Sequence, residues 1–246
     1  MIDLSEYYSG GYFLIRANKP DWPQLQTDLL PEKLISLSRC ICPRLQVYWG
    51  WTPGDRDAAV KFGILDAKFD EFAEWAQTTL NDEMDFPSLF FSPEIARRFV
   101  KRFLADTSDL YLIGVGLHQS EIAAWDEVAP IMFGEVIVQV NLLLQKQTDY
   151  GTEGQIDRRQ SLETGGTALG FEVASFAYHD FGHSWYCNHP AEDLGTLFDL
   201  RPGQFGLIET REGAEQVYKW VAEAPGSRGE PEPYAYWLLV SYPLTN

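Results

Sequence analysis

The sequence predicts an α+β fold (or its α/β relative), with one mixed or mostly antiparallel sheet region and helices packed against it. Three observations predict it. Short aromatic and β-branched runs alternate along the chain with amphipathic runs at helical spacing. The 246 residues suffice for a substantial core. The 8 Trp, 12 Tyr and 15 Phe lie mostly inside apolar runs, as a thick interior between sheet and helices requires.

The elements follow in order. Gly11 to Arg16 reads as a strand, and Pro20 and Pro23 bracket the loop after it. Pro31 to Cys40 reads as a helix, with Leu34, Leu37 and Ile41 on one face and Pro43 ending it. Leu45 to Trp51 is rich in β-formers and stops at the turn Pro53-Gly54-Asp55. Asp66 to Leu80 is the clearest helix. Phe69, Phe72, Ala76 and Leu80 make one apolar stripe, Asp70, Glu71 and Glu74 lie off it, and Asp66 can cap the start.

A second helix starts at Ser92-Pro93-Glu94, a serine N-cap before proline at the first helical position. Ile95, Phe99 and Phe103 form its apolar row. Arg97, Arg98, Lys101 and Arg102 form a basic face, read as solvated and paired with acidic neighbours. Asp109 to His118 is almost continuously apolar, as in a strand covered on both sides. Val136 to Leu144, Leu169 to Tyr178 and Pro233 to Tyr242 read as further strands, with a helix from Thr210 to Ala222.

Residues 1–246 are read as one domain with an internal echo. Phe62-Gly63-Ile64-Leu65-Asp66 leads into a helix with Trp75, and Phe205-Gly206-Leu207-Ile208-Glu209 into a helix with Trp220. An aromatic strand follows each. Two β-loop-helix-β units, about 1–146 and 169–246, would each leave a sheet face uncovered, so a common core is expected. Residues 147–168, polar and carrying Gly151, Gly154, Gly165 and Gly166, read as a long mobile loop between them.

The formal net charge is −17, unevenly spread. Residues 1–64 carry 7 acids and 7 bases, residues 65–127 carry 13 and 5, and residues 128–246 carry 16 and 7. Such a surface repels phosphate backbones and anionic lipid, which argues against nucleic-acid or membrane partners, and attracts a basic protein. The plain alternative is that the charge keeps a bacterial-type cytoplasmic chain in solution. Cys40, Cys42 and Cys187 have no disulfide-framework spacing, and read as small core side chains. Acids stand near the N-terminus where a signal peptide needs a positive charge, and the most apolar window, Ile131 to Leu144, is too polar to span a bilayer. A cytoplasmic location is expected.

Three of the four histidines fall within His179-Asp180-Phe181-Gly182-His183-Ser184-Trp185-Tyr186-Cys187-Asn188-His189. Imidazoles and a thiolate suit zinc, so His179, His183 and His189 are the candidate metal ligands. The spacing lacks the helical context of a zinc motif. On a strand, His179 and His183 would stand about 13 Å apart, and only a tight turn at Phe181-Gly182 would join them. A nucleophilic reading takes Cys187 as attacker, His183 as base and Asp180 as orienter, although acidic surroundings disfavour a thiolate. No G-x-S-x-G, P-loop or complete G-x-G-x-x-G stands in the chain.

Two functional expectations follow. The first is a non-enzymatic binding module, an inhibitor or immunity-type partner of a basic protein, with Asp70, Glu71, Glu74, Asp82, Glu83 and Asp85 as its contact surface. The second is a hydrolase using the His179–His189 segment, with Cys187 or a metal-bound water as nucleophile.

Overall fold

A computed structural model describes residues 2–45, 53–79, 82–85, 89–125, 128–133, 136–141, 151–177 and 180–245. In chain order its strands are β1 (Tyr7–Arg16), β2 (Met84–Asp85), β3 (Leu89–Phe90), β4 (Leu110–His118), β5 (Val128–Phe133), β6 (Val136–Asn141), β7 (Thr167–Ala177), β8 (Asp180–Ser184) and β9 (Tyr234–Tyr242). The helices are α1 (Pro53–Phe62), α2 (Phe69–Thr79), α3 (Pro93–Phe103), α4 (Ile122–Trp125), α5 (Gly151–Asp157), α6 (Trp185–Asn188), α7 (Glu192–Phe198) and α8 (Arg211–Ala222).

Among the described residues, seven strands form one sheet in the order β2-β3-β1-β4-β9-β7-β8, and β5 and β6 form a separate hairpin. Every pairing in the seven-stranded sheet is antiparallel. The chain is therefore α+β, and the parallel α/β alternative falls away. No helix among the described residues is long and apolar enough to cross a membrane.

The strand order reads alike from its two sides. β1 pairs with β4, β7 pairs with β9, and the two last strands meet at the centre with Gly114 opposite Val240 and Val115 opposite Leu239. Each first strand carries one bulge, between Ser9 and Tyr12 in β1 and between Ala168 and Gly170 in β7. Both bulges turn on a glycine with positive φ, Gly11 at 101° and Gly170 at 142°, a backbone region that side chains disfavour. The five-residue sequence matches occupy unlike places. Ile64 bridges to Leu104, past the end of α3, whereas Ile208 bridges to Phe171 on β7. Any symmetry between the halves thus lies in strand order rather than in those matches.

One apolar cluster takes residues from both halves. Phe13 of β1 packs against Phe181 of β8 with ring centroids 5.6 Å apart, and Phe181 meets Trp237 of β9 at 5.0 Å. A second aromatic group joins α2 to α3. Phe72 lies 5.8 Å from Phe99 and 5.7 Å from Phe103, and Trp75 lies 5.4 Å from Phe99. Of the stripe Phe69, Phe72, Ala76 and Leu80, the first three are buried there, and Leu80 lies outside the described residues. Ser92 caps α3 as its type predicts, accepting from the Ile95 amide. Asp66 does not cap α2. It stands in a 3-10 turn, and Arg56 Nε donates to its carboxylate at 2.8 Å.

Two expectations fail on secondary structure. Pro31 to Cys40 forms no helix but runs as turns and bridges, with Leu34 paired to Asn18 and the Ile35 amide donating to Phe205 O. Its apolar residues Leu34, Leu37 and Ile41 are buried all the same. Residues 151–157, read within a loop, form α5, which packs on β1 and buries Thr152, Gln155 and Ile156. The strand read over Leu45 to Trp51 lies outside the described residues beyond Leu45, whose amide donates to Leu14 O.

Candidate functional site

The histidine-rich segment lies on β8, α6 and the turn that follows, with His179 outside the described residues. Asp180 opens β8 and accepts from Arg44 Nη2 at 2.7 Å, while Arg39 Nε lies 3.4 Å from its other oxygen. The Arg44 guanidinium also lies 5.4 Å from the Phe13 ring and 5.7 Å from that of Phe181. Buried charge is tolerable only when paired in this way. Asp180 is thereby committed to arginines rather than to an imidazole.

His183 has a different neighbourhood. Its amide donates to Ser175 Oγ at 2.6 Å, and its ring Nδ1 lies 3.8 Å from Glu232 Oε2. Ser175 Oγ in turn donates to Glu232 at 2.6 Å. Serine, histidine and carboxylate therefore gather, but not as a nucleophilic triad. The hydroxyl proton points to the carboxylate, and Ser175 is fully buried, beyond the reach of a substrate.

Cys187 lies in α6, where the Ser184 hydroxyl caps the helix by accepting from the Tyr186 amide. Its sulfur sits 3.4 Å from Ser38 Oγ. Burial pushes the thiol up to about 11, so almost none is thiolate at neutral pH. His189 ends α6. Its ring stacks on Trp185 with centroids 4.0 Å apart, its Nε2 lies 3.0 Å from Arg228 O and its Nδ1 lies 3.4 Å from Asp193. A carbonyl only accepts, so Nε2 carries the proton. Asp180, His183, Cys187 and His189 thus have four separate sets of partners. Among the described residues, no group of three or more His, Cys, Asp or Glu is placed to hold a metal ion.

Two polar clusters escaped the sequence reading. The first is Glu172, buried in β7. Its carboxylate accepts from Ser36 Oγ at 2.5 Å and from the Leu37 amide at 2.6 Å, with the Ser184 hydroxyl as a third partner. Burial outweighs these bonds and pushes the carboxyl up to about 7. Glu172 lines a cavity of about 20 Å³, together with Ser184, Tyr186 and Ile208, which is room for a single water. A charged residue inside an otherwise apolar strand run was the available signal.

The second cluster closes the end of the central strands. His118 ends β4, and its Nδ1 lies 3.1 Å from the Ser120 amide and 2.8 Å from Ser120 Oγ. Arg211, at the start of α8, reaches Ser120 Oγ at 2.6 Å, Glu121 at 3.0 Å and Tyr236 OH at 3.5 Å. Its other terminal nitrogen lies 3.3 Å from His118 Nε2. Burial, then the neighbouring Arg211 charge, lowers the His118 pKa. Burial opposes ionisation of Glu121, but hydrogen bonds from Tyr236, Ser120 and Arg211 prevail and hold its carboxyl below the usual range. The side chains come from positions about 90 residues apart, so no local spacing could signal them.

No known protein family, curated protein or solved structure matches this chain.

The acidic residues read as a contact surface divide in three. Asp70, Glu71 and Glu83 are met by Arg56 at 3.4 Å, Arg102 at 2.7 Å and Arg98 at 2.6 Å; the last two pairs, from α3, are of the kind expected of its basic face. Asp85 is buried and accepts from the Gly151 amide at 2.8 Å, which satisfies the first turn of α5. Its place in a contact surface is withdrawn for that reason. Glu74 and Asp82 are exposed and form no ion pair among the described residues.

A further acidic group surrounds the His118–Arg211 cluster. Glu6 and Glu212 are exposed there and Glu121 is partly so, with Glu6 Oε2 3.8 Å from His118 Nε2. The N-terminal turn is held in place by Gln119, which donates to Ser5 O at 2.9 Å.

Proposed function

We propose that this chain is a non-enzymatic, cytoplasmic protein-binding module, an inhibitor- or immunity-type partner of a basic protein. The observation that carries the reading is the set of carboxylates at the His118–Arg211 cluster: Glu6, exposed, lies 3.8 Å from His118, Glu121, half-buried, lies 3.0 Å from Arg211, and Glu212, exposed, follows Arg211 on α8. A lysine or arginine side chain of a partner would meet exposed carboxylates on a frame fixed by two central strands and a helix. Such complementarity raises association rates and selects partners by sign. Exposed Glu74 and Asp82 extend the acidic surface elsewhere.

The hydrolase reading draws less support. It needs Asp180, His183 and Cys187 in one site, and their separate partners oppose it.

The test is affinity capture from the native host with the wild-type chain and with Glu6→Lys/Glu212→Lys. The wild type should recover a partner with an isoelectric point above about 9. That partner should be lost at high salt and with the charge-reversed variant, whose melting temperature should match the wild type. A partner indifferent to both changes, or none at all, would overturn the proposal.

A further inference from the structure

The three cysteines differ in a way their spacing does not reveal. Cys40 is exposed, Cys42 is buried and Cys187 is half-buried. The Ser38 hydroxyl touches two of them: it accepts from the Cys40 amide at 3.3 Å and lies 3.4 Å from Cys187 Sγ. Cys40 is near enough for its charge to raise the Cys187 thiol. The turn that presents Cys40 is fixed, because the amides of Ile41 and Cys42 both donate to Ser38 O, at 3.1 and 3.0 Å. Glu172 anchors the same turn through Ser36 and Leu37.

We propose that Cys40 and Cys187 form a reversible disulfide in response to a small-molecule disulfide such as oxidised glutathione. The Cys40 thiolate attacks one sulfur of the oxidant, making a mixed disulfide and releasing one reduced glutathione. The Cys187 thiol gives up its proton and attacks the Cys40 sulfur. That step forms the internal bond and releases the second glutathione. Two protein thiols are oxidised and one glutathione disulfide is reduced to two thiols, so electrons and atoms balance.

The order of attack follows from access. Cys40 meets solvent, whereas Cys187 is held back by burial and becomes competent once its target is tethered beside it, at high effective concentration. Cys42 stays out of the exchange. Its sulfur lies 3.2 Å from Leu34 O, and burial pushes its thiol up to about 12. The product ties the strap Ser36–Cys42 to α6, over Glu172 and its cavity.

The experiment treats the full chain with oxidised glutathione, followed by intact mass and non-reducing peptide mapping. Wild type should lose two titratable thiols, carry no glutathione and show one Cys40–Cys187 peptide, all reversed by a reducing thiol. Cys187→Ser should keep one glutathione on Cys40, and Cys40→Ser should take up none. Hydrogen exchange over residues 36–42 should slow in the oxidised wild type only. Stable glutathione on Cys40 of the wild type would overturn the proposal, as would a bond between Cys187 and Cys42 or between chains.

Discussion

Arg44 and Asp180 form a buried ion pair between the strap before α1 and the edge strand β8, their side chains only 3% and 11% exposed. The pair is asymmetric. Asp180 has a second partner in Arg39, which is partly solvated, whereas Arg44 has no second carboxylate partner among the described residues. Asp180→Ala should therefore cost about 3 to 5 kcal/mol by leaving a buried guanidinium uncompensated. Arg44→Met should cost distinctly less, and Arg44→Met/Asp180→Leu should regain most of the loss. Urea unfolding of the three variants checks this, and equal losses in the two single variants would contradict it.

Glu172 makes stability depend on pH in an unusual direction. Its carboxyl is raised from an ordinary 4.5 to about 7 in the folded chain. Below 4.5 both states hold the proton. Between 4.5 and 7 the unfolded chain releases it and the folded chain retains it, so the unfolded state binds fewer protons and stability falls as pH rises. The change amounts to about 3 kcal/mol, complete above pH 7. In urea unfolding from pH 4.5 to 8, Glu172→Gln should lack this component. A wild-type advantage over the variant that does not grow toward low pH would refute the assignment.

The two bulge glycines should respond unequally to substitution. A Cβ on Gly170 would meet the backbone oxygen of Ile208 at 2.8 Å, and backbone cannot step aside. A Cβ on Gly11 would meet the Leu89 side chain at 3.0 Å, which can. Both have positive φ, so both alanine variants carry strain of about 1 to 3 kcal/mol. Gly170→Ala should be the worse of the two by thermal melting.

Zinc offers a direct check on the histidines. His183 faces Glu232 while His189 stacks on Trp185 and bonds Arg228 O. Added zinc should leave the ring resonances of both unchanged and shift the melting temperature little. Stoichiometric binding abolished by His183→Ala or His189→Ala would restore a metal centre here.

Residue pattern alone reveals elements whose partners are local. The α3 cap at Ser92, the α2 stripe and the apolar β4 run are legible because propensity and periodicity decide them. The strap is not. Leu34, Leu37 and Ile41 have helical spacing and do bury, but the Leu37 amide finds its acceptor on Glu172, 135 residues away. In a helix that amide would bond within its own segment, and the carboxylate would lose a donor. Likewise, α5 looks like a polar loop until Asp85 is seen to hold its first amide. The site suffers most from this limit. The segment from Asp180 to His189 is conspicuous in sequence, yet Arg44, Glu232, Ser38 and Arg228, drawn from remote positions, determine what each side chain can do.

The placement of β9 carries a cost for synthesis and for damage. It is the last strand in the described chain, yet it lies inside the sheet, between β4 and β7. Until residues 234–242 emerge, β4 has no neighbour on its inner side, and an uncovered apolar strand invites pairing with another chain. Clipping those few residues would divide the sheet into two open fragments.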